Sequence, residues 1–265
     1  MDSINSIDIR GVQSIQAQYN VNIAPLKFLG MRQMRYYPLG AQIGTLNLST
    51  FLISTDEFLR YTGEVFMNGY ILKNKNNVSE NFGFTSGYLN SYNLSCGVGQ
   101  IPTLNVQLSV LGNMGKIPSS DAEDDFFDGD AGRTGLFIAT PGSISLTMDG
   151  FDTDKVNAFD VSINVNRNPD YVIGNKYPTG VNISYPIEVN CNFNIPAKEY
   201  SAYTLRSFPS TSRTGHLTLS LNDYVSNTTI VSYSFGGLQL TSEGLSVDVN
   251  GEPTVNLGYK TFLTR

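Results

Sequence analysis

The sequence predicts a mainly β protein built from two tandem β-sandwich or partial-barrel repeats, each with one short helix. Apolar and polar residues alternate strictly along several segments, and a set of matched residues recurs in the same order in both halves of the 265-residue chain. The chain is also rich in Asn, Ser, Thr, Gly and Tyr, while only 15% of its residues are charged. These residue types favour strands and turns.

Three segments show the alternation most clearly. Apolar residues occupy every second position over residues 104–110, 159–165 and 187–195. A period of two indicates antiparallel strands with one packed face and one solvated face. Cys96 and Cys191 fall at apolar positions of such patterns, so we expect two small buried side chains and no disulfide framework.

Two segments interrupt the alternation at equivalent places. Residues 55–62 combine a capping Thr, early acids and a later base, which favours a short helix. Residues 196–203 begin with Pro, which suits the first turn of a helix. We therefore expect one short helix near each of these segments.

The recurring residues predict a tandem duplication. Leu94-Ser95 matches Leu245-Ser246 at an offset of 151 residues (245 minus 94), and Pro25 matches Pro169 at an offset of 144 (169 minus 25). A shared order of matches is the signature of a repeat architecture.

The duplication divides the chain into three parts. We expect the first repeat in residues 1–114, an acidic linker or arm in 115–134 and the second repeat in 135–265. Residues 136–148 predict an additional strand that has no clear equivalent in the first half.

Charge and residue content exclude several functions. A net charge of −6 and a pI near 4.8 oppose tight binding of nucleic acid, which needs a basic surface. The chain has one histidine, His216, at a strand start where a solvated edge residue is expected, and a Ser-His-Asp or Cys-His site needs a histidine. The acidic run lacks the spacing of a calcium loop. We expect no enzyme, no cofactor and no metal.

The sequence also predicts a protein that does not enter a membrane. No apolar run approaches the roughly 18 residues of a membrane-spanning helix. The first residues lack the basic start and apolar core of a signal peptide. We therefore expect folding in a cytoplasm.

With these strands placed, the chain resembles the tail tube proteins of long-tailed bacteriophages. The features that carry the resemblance are the alternating strand 159–165, the loop 168–174 with its Pro and Gly, the strand 187–195 running into 196–203, and the strand pair in 245–259. The second half resembles the family more closely than the first.

The resemblance implies a structural virion protein. Tail tube proteins form stacked rings in which the sheets of all subunits join into one inner β-barrel around a channel for DNA. Most rings have six copies, but some non-contractile tails use a duplicated subunit, three of which complete the ring. A tandem duplication fits that arrangement.

The same resemblance implies the partners and the location. We expect a homotrimeric ring stacked into a tube, other tail proteins at the tube ends, and DNA that passes without specific binding. The protein would lie in the virion tail after assembly in the host cytoplasm. Two alternatives remain: another tail or baseplate component of the same fold, or a carbohydrate-binding β-sandwich, which the 15 tyrosines favour.

Polar positions of the closing strands are the candidate channel lining. These are Asn93, Ser95, Asn105, Gln107, Ser109, Ser246, Asp248 and Asn256. Lys260 is the one base among the polar positions of these strands, and we expect it beyond the channel, near the carboxyl end.

Contacts between stacked rings are expected where apolar residues are surrounded by charge. Exposed apolar side chains often mark an interface, and opposite charges set its register. A basic segment and the acidic arm would meet through Lys27, Phe28, Arg32, Arg35, Asp124, Asp125, Phe126, Phe127 and Asp128.

Overall fold

The computed structural model describes most of both halves of the chain. It describes residues 11–21, 23–27, 29–30, 32, 35–38, 43–52, 56–63, 65–75, 78–116, 144–148, 151–173, 175, 177–200, 215–223, 228–247 and 251–264.

The first half contributes eight strands in the described residues. They are β1 Val12–Asn20, β2 Ile23–Leu26, β3 Arg35–Pro38, β4 Ile43–Phe51, β5 Met67–Lys75, β6 Val78–Gly97, β7 Thr103–Val110 and β8 Met114–Lys116.

The second half contributes nine strands in the described residues. They are β9 Ile144–Met148, β10 Phe151–Thr153, β11 Ala158–Asn164, β12 Arg167–Asp170, β13 Gly180–Ile183, β14 Ile187–Pro196, β15 Gly215–Asn222, β16 Thr229–Ser246 and β17 Thr254–Leu263.

Thirteen of these strands form one antiparallel sheet, which confirms the mainly β prediction. Its order is β1-β4-β7-β6-β11-β14-β17-β16-β15-β9-β10, with β5 and β8 also paired to β6. The sheet crosses the expected boundary between the repeats because β6 pairs with β11. The two halves therefore share one sheet, where the sequence predicted two tandem sandwiches. Alternation identifies the faces of a strand but not its neighbours.

Two hairpins stand outside the main sheet. β2 pairs with β3 after β1, and β12 pairs with β13 after β11. The sequence predicted loops in these regions. Pro25 and Pro169 each lie in the first strand of a hairpin, and in such two-stranded sheets both strands are edges, where a residue without an N–H is tolerated.

Each expected helix segment contains one turn in the described residues. The first is a 3-10 helix over Phe58–Tyr61, held by the buried ring of Phe58 and by the carboxylate of Asp56, which accepts from the Phe58 N–H at 3.0 Å. The second is described only as far as Tyr200. There, N–H groups of Glu199 and Tyr200 donate to carbonyls three residues earlier, at 3.0 and 3.2 Å. A segment as short as Phe58–Tyr61 cannot sustain an α-helix of its own.

The sheet folds over itself around one core. Tyr92 on β6 and Tyr233 on β16 are four strands apart in the sheet, which is about 19 Å in a flat sheet. Their hydroxyls nevertheless lie 3.4 Å apart. The first half of β16, with β15 and β9, therefore packs over the middle of the sheet, and the buried side chains of both halves form one cluster.

Cys96 and Cys191 are buried in this cluster as free thiols, as the sequence predicts. Burial raises the pKa of Cys96 to about 11 and that of Cys191 to about 12. Among the described residues, no helix has the length and apolar character needed to cross a membrane.

Candidate assembly surfaces

One face of the main sheet is polar across both halves of the chain. Directly paired residues of an antiparallel sheet share a face, so the register identifies its members. Asn93 pairs with Asn105 on one side and with Ser162 on the other, and Ser162 pairs with Asn190. Asn190 pairs in turn with Lys260.

Seven of the candidate lining residues lie on this polar face, and Asp248 lies outside the described residues. The seven are Asn93, Ser95, Asn105, Gln107, Ser109, Ser246 and Asn256. Lys260 lies on the same polar face, and the expectation that it falls beyond the channel stays a prediction. β17 carries it there because Lys260 is four residues from Asn256 along the same strand.

Side-chain amides connect neighbouring strands along the polar face. Asn93 donates to Asp160 at 2.7 Å, Gln107 donates to Asn47 at 3.0 Å, and Asn194 donates to Asn256 at 2.6 Å. Cross-strand pairs of this kind stabilise a sheet by a fraction of a kcal/mol each, up to about 1. These contacts hold the connected amides in fixed positions across neighbouring strands.

Few ionisable groups lie on this face in the described parts of β1, β4, β6, β7, β11, β14, β17 and the second half of β16. They are Asp160, Glu188 and Lys260. Lys260 lies 2.8 Å from Glu188, and its hydrogen bond lowers the pKa of that carboxyl. The one base is thus already neutralised by an acid.

The two halves meet where residues 91–97 of β6 pair with residues 158–164 of β11, here called the closed junction. Its apolar face is fully buried: Leu94 and Val161, which pair directly, are each 0% exposed. Seven residue pairs form the ladder without a bulge. The closed junction therefore has the packing of a protein interior.

Two polar contacts hold the surroundings of the closed junction. The carboxylate of Asp56 accepts hydrogen bonds from Tyr92 and, at 2.8 Å, from Tyr233. Arg167, at the start of β12, donates to the carbonyls of Leu89, Tyr61 and Gly63 at 2.8 to 3.0 Å. Its guanidinium also lies 5.2 Å from the ring centre of Tyr88. Arg167 thereby ties the second half of the chain to backbone of the first.

Among the eight strands that carry the polar face, two segments have one partner each in the described part of the chain, and they are here called the open edges. β1 pairs only with β4, and residues 242–246 of β16 pair only with β17. Apolar side chains of both segments are exposed: Tyr19 by 39%, Leu245 by 57% and Val247 by 62%. Unpaired edges with apolar side chains invite pairing with another chain.

The predicted ring-to-ring contact is only partly within the described residues. Lys27 and Arg32 are exposed, and Arg35 begins β3. Phe28 and the arm residues Asp124, Asp125, Phe126, Phe127 and Asp128 lie outside the described residues. This contact stays a prediction.

The sequence could not identify the whole polar face. Asp160, Glu188 and Asn190 belong to it, whereas the sequence predicts a channel lining from the closing strands alone. The alternation of residues 159–165 and 187–195 shows that each of these strands has a polar face. Only the pairing of β6 with β11 shows that this face continues into the first half.

Comparison of the sequence with protein-family models and with curated proteins gives no match.

Proposed function

We propose that this chain is a tail tube protein of a long-tailed bacteriophage. Three copies would close a ring of six related repeats, and stacked rings would enclose a channel through which DNA passes. The observation that carries the proposal is the pair of open edges, β1 at one end of the main sheet and residues 242–246 of β16 beside β17. They border a continuous run of eight strands, one face of which is polar and, in the described residues, nearly free of bases.

A tandem duplication is the first element of the proposal, and the strand register supports it. Asn93 pairs with Asn105, and the residues 151 positions later, Gly244 and Asn256, also pair. Ile15 pairs with Leu48, and the residues 144 and 145 positions later, Phe159 and Phe193, also pair. The sheet order β1-β4-β7-β6 in the first half corresponds to β11-β14-β17-β16 in the second.

Bulges in the ladders support the same correspondence. The β6–β7 ladder shifts between Leu89 and Ser91, and the β16–β17 ladder shifts between Leu240 and Ser242, again 151 positions later. A bulge bends a strand at a defined residue. Two bulges at corresponding residues are the result expected of two copies of one ancestral fold.

Ring closure is the second element, and barrel geometry supports it. Each chain supplies eight strands to the polar face, four from each half. A barrel of about eight strands is filled by its own side chains, whereas 16–18 strands already leave an aqueous channel. Three chains would supply 24 strands, with a circumference of about 150 Å at about 4.8 Å between strands and a tilt of about 40°.

Passage of DNA is the third element, and the charge of the polar face supports it. Each phosphate neutralised by a fixed base adds affinity through release of counterions, so a basic lining would hold the duplex. In the described residues, Asp160, Glu188 and the paired Lys260 give this face a formal charge of −1 per chain (−1 − 1 + 1). Such a surface lets DNA slide.

A carbohydrate-binding module would expose aromatic rings on a sheet face. On the described polar face, Tyr88 is covered by Phe66, whose ring centre lies 5.9 Å away, and by Arg167. Phe262 is 48% exposed but lies near the end of β17. This pattern favours the tube over the sugar-binding alternative.

Electron microscopy and mass measurement of the purified full chain test the proposal. We expect rings or tubes with an open channel and a mass of three chains per ring. Six chains per ring would contradict the trimer. A monomer at every concentration, or binding to a panel of glycans, would contradict the function. Rings without tubes would favour another tail component of the same fold.

A further inference from the structure

We infer that β1 of one copy pairs with the second half of β16 of another copy in one specific register, in which Tyr19 lies opposite Glu243. The inference rests on the self-assembly proposed above and adds the residues that meet. It follows from the closed junction, which already joins the same two kinds of strand within the chain.

The register follows from the correspondence between the halves. At the closed junction, Leu94 pairs with Val161 and Ser95 pairs with Asp160. The residue 151 positions after Leu94 is Leu245, and the residue 144 positions before Val161 is Ala17. A second copy joined in the same way pairs Leu245 with its Ala17, and Ser246 with its Gln16.

This register puts apolar residues of the two open edges on one side. Leu245 and Val247 would lie on the core side beside Ala17 and Ile15, because Leu245 pairs with buried Val255 and Ile15 pairs with buried Leu48. A shift by one residue would move every apolar side chain to the polar face. The alternation of both strands therefore admits the inferred register and opposes its nearest neighbours.

Glu243 adds a polar requirement to the interface. It occupies the core side of β16 opposite buried Leu257, and its Oε1 atom is buried with no hydrogen-bond partner among the residues that the structure describes. A buried acceptor without a donor costs about 1–3 kcal/mol, and more when it is charged. Its counterpart at the closed junction is Tyr92, which pairs directly with Ile163.

Tyr19, which lies 144 positions before Ile163, is the residue that a second copy would place opposite Glu243. Its phenol O–H would stand opposite the Glu243 carboxylate, and a phenol is a donor that a carboxylate accepts. At the closed junction an apolar residue faces a tyrosine, whereas at the inferred interface a tyrosine faces a glutamate. Tyr19 and Glu243 thus each differ from the residue that corresponds to them at the closed junction, and the two differences fall in one cross-strand pair.

Cross-linking tests the register on the full chain. Gln16→Cys combined with Ser246→Cys puts two exposed positions opposite each other on the polar face, where a short thiol-to-thiol cross-linker can join them. The matched controls combine Ser246→Cys with Ser14→Cys or with Gln18→Cys, which displaces the partner by two residues in either direction. Cys96 and Cys191 are buried, and the single variants measure their background.

We expect cross-linked dimers and closed trimers to form at least tenfold faster from the variant with Gln16→Cys and Ser246→Cys than from either control. Rings that cross-link equally fast or faster through a control would overturn the inferred register and leave the proposed function standing. Absence of any assembly of the unmodified chain would overturn both.

A double-mutant cycle tests the contact between Tyr19 and Glu243. We expect Tyr19→Phe to weaken association about tenfold, the size expected for one hydrogen bond to a charged group. In a Glu243→Leu background the same change should have no effect on association. Urea unfolding of the monomer at low concentration measures any separate effect on the fold. An equal loss in both backgrounds would show that the two side chains do not meet.

Discussion

The closed junction and the open edges, which correspond to each other if the chain is duplicated as proposed, have opposite environments. Leu94 on β6 is fully buried against β11, whereas Leu245, its counterpart on β16, is 57% exposed. Tyr92 has its hydroxyl partners Asp56 and Tyr233, while Glu243 has an oxygen that is buried without a partner among the described residues. Apolar character at a strand position therefore predicts burial only when a neighbouring strand is present.

The energy of the two regions follows from that difference. Burying a Leu side chain stabilises a protein by about 1.5–3 kcal/mol relative to exposure. Leu94 contributes this free energy at the closed junction, whereas exposed Leu245 does not contribute it at the open edge. Exposed apolar side chains lie at each open edge, on strand segments that have no second partner strand among the described residues. Pairing of two such edges would bury these side chains and give each segment a second partner strand.

The largest effect should come from a charge at the closed junction. Leu94→Asp buries a carboxylate without a partner and should lower the free energy of unfolding by about 4 kcal/mol or more. This approaches the whole stability of an ordinary domain. Chemical denaturation followed by circular dichroism measures the change.

The matched variant is Leu245→Asp at the corresponding open position. It should alter the unfolding free energy of the monomer by no more than about 0.5 kcal/mol, because the side chain is exposed. Sedimentation should nevertheless show assembly weakened at least 100-fold. Equal destabilisation by both variants would remove the distinction between the two regions.

Removal of Arg167 should have the next largest effect. Arg167→Ala takes donors away from three backbone carbonyls and should cost about 2–3 kcal/mol of unfolding free energy. Arg167→Lys keeps the charge but lacks the fork that reaches several acceptors, so it should recover only part of the loss.

Ile23 is the corresponding residue of the first half, and it is 53% exposed. Ile23→Ala should therefore leave thermal unfolding of the monomer almost unchanged. A melting temperature lowered as much by Ile23→Ala as by Arg167→Ala would mean that the hairpin after β1 is held as firmly as the hairpin after β11.

Alkaline pH should weaken the cluster beside the closed junction. Burial, with the Asp56 carboxylate nearby, raises the pKa of Tyr92 and of Tyr233 above the usual value of about 10. Above pH 10 the unfolded chain loses these two protons while the folded chain retains them. The free energy of unfolding should then fall by about 1.4 kcal/mol per pH unit for each tyrosine.

Tyr233→Phe isolates this contribution. It should cost about 1 kcal/mol at pH 7 through the lost hydrogen bond, and its stability should fall less steeply above pH 10 than that of the unmodified chain. The raised pKa values of Cys96 and Cys191 add a loss of the same sign from about pH 9, which both proteins share. Parallel pH profiles would exclude Tyr233 as a source of the slope.

Much of the sheet could be predicted from local pattern, but its order could not. Alternation identified 104–110, 159–165 and 187–195 as strands because side chains of a strand point to opposite faces every second residue. The same alternation put Asn93 and Asn105 on a polar face. Alternation does not predict that β6 pairs with β11, because that pairing depends on side chains distant in sequence.

The interruptions of the pattern were harder to interpret. The helix signals at 55–62 and 196–203 mark turns whose apolar residues, Phe58 and Tyr200, are buried. A capping residue and a first-turn acid favour any tight turn of this kind, and at Phe58–Tyr61 too few residues follow to propagate a helix. Glu243 gave no local signal, since a single acid in a strand is unremarkable until its surroundings are known.

The smallest effect on stability should come from the ion pair of the polar face. Lys260 and Glu188 are partly exposed to solvent, so Glu188→Gln and Lys260→Gln should each change the free energy of unfolding by less than about 0.5 kcal/mol.

The same two variants should differ in how strongly assembled tubes retain duplex DNA. Glu188→Gln leaves one unpaired base per copy on this face, whereas Lys260→Gln removes the only base that the described strands place there. If the face lines a channel, assembled tubes of Glu188→Gln should retain duplex DNA more strongly and with a steeper dependence on salt. Tubes of Lys260→Gln should retain it no more than the unmodified tubes do. Equal retention by both variants would indicate that the polar face lies away from the path of the DNA.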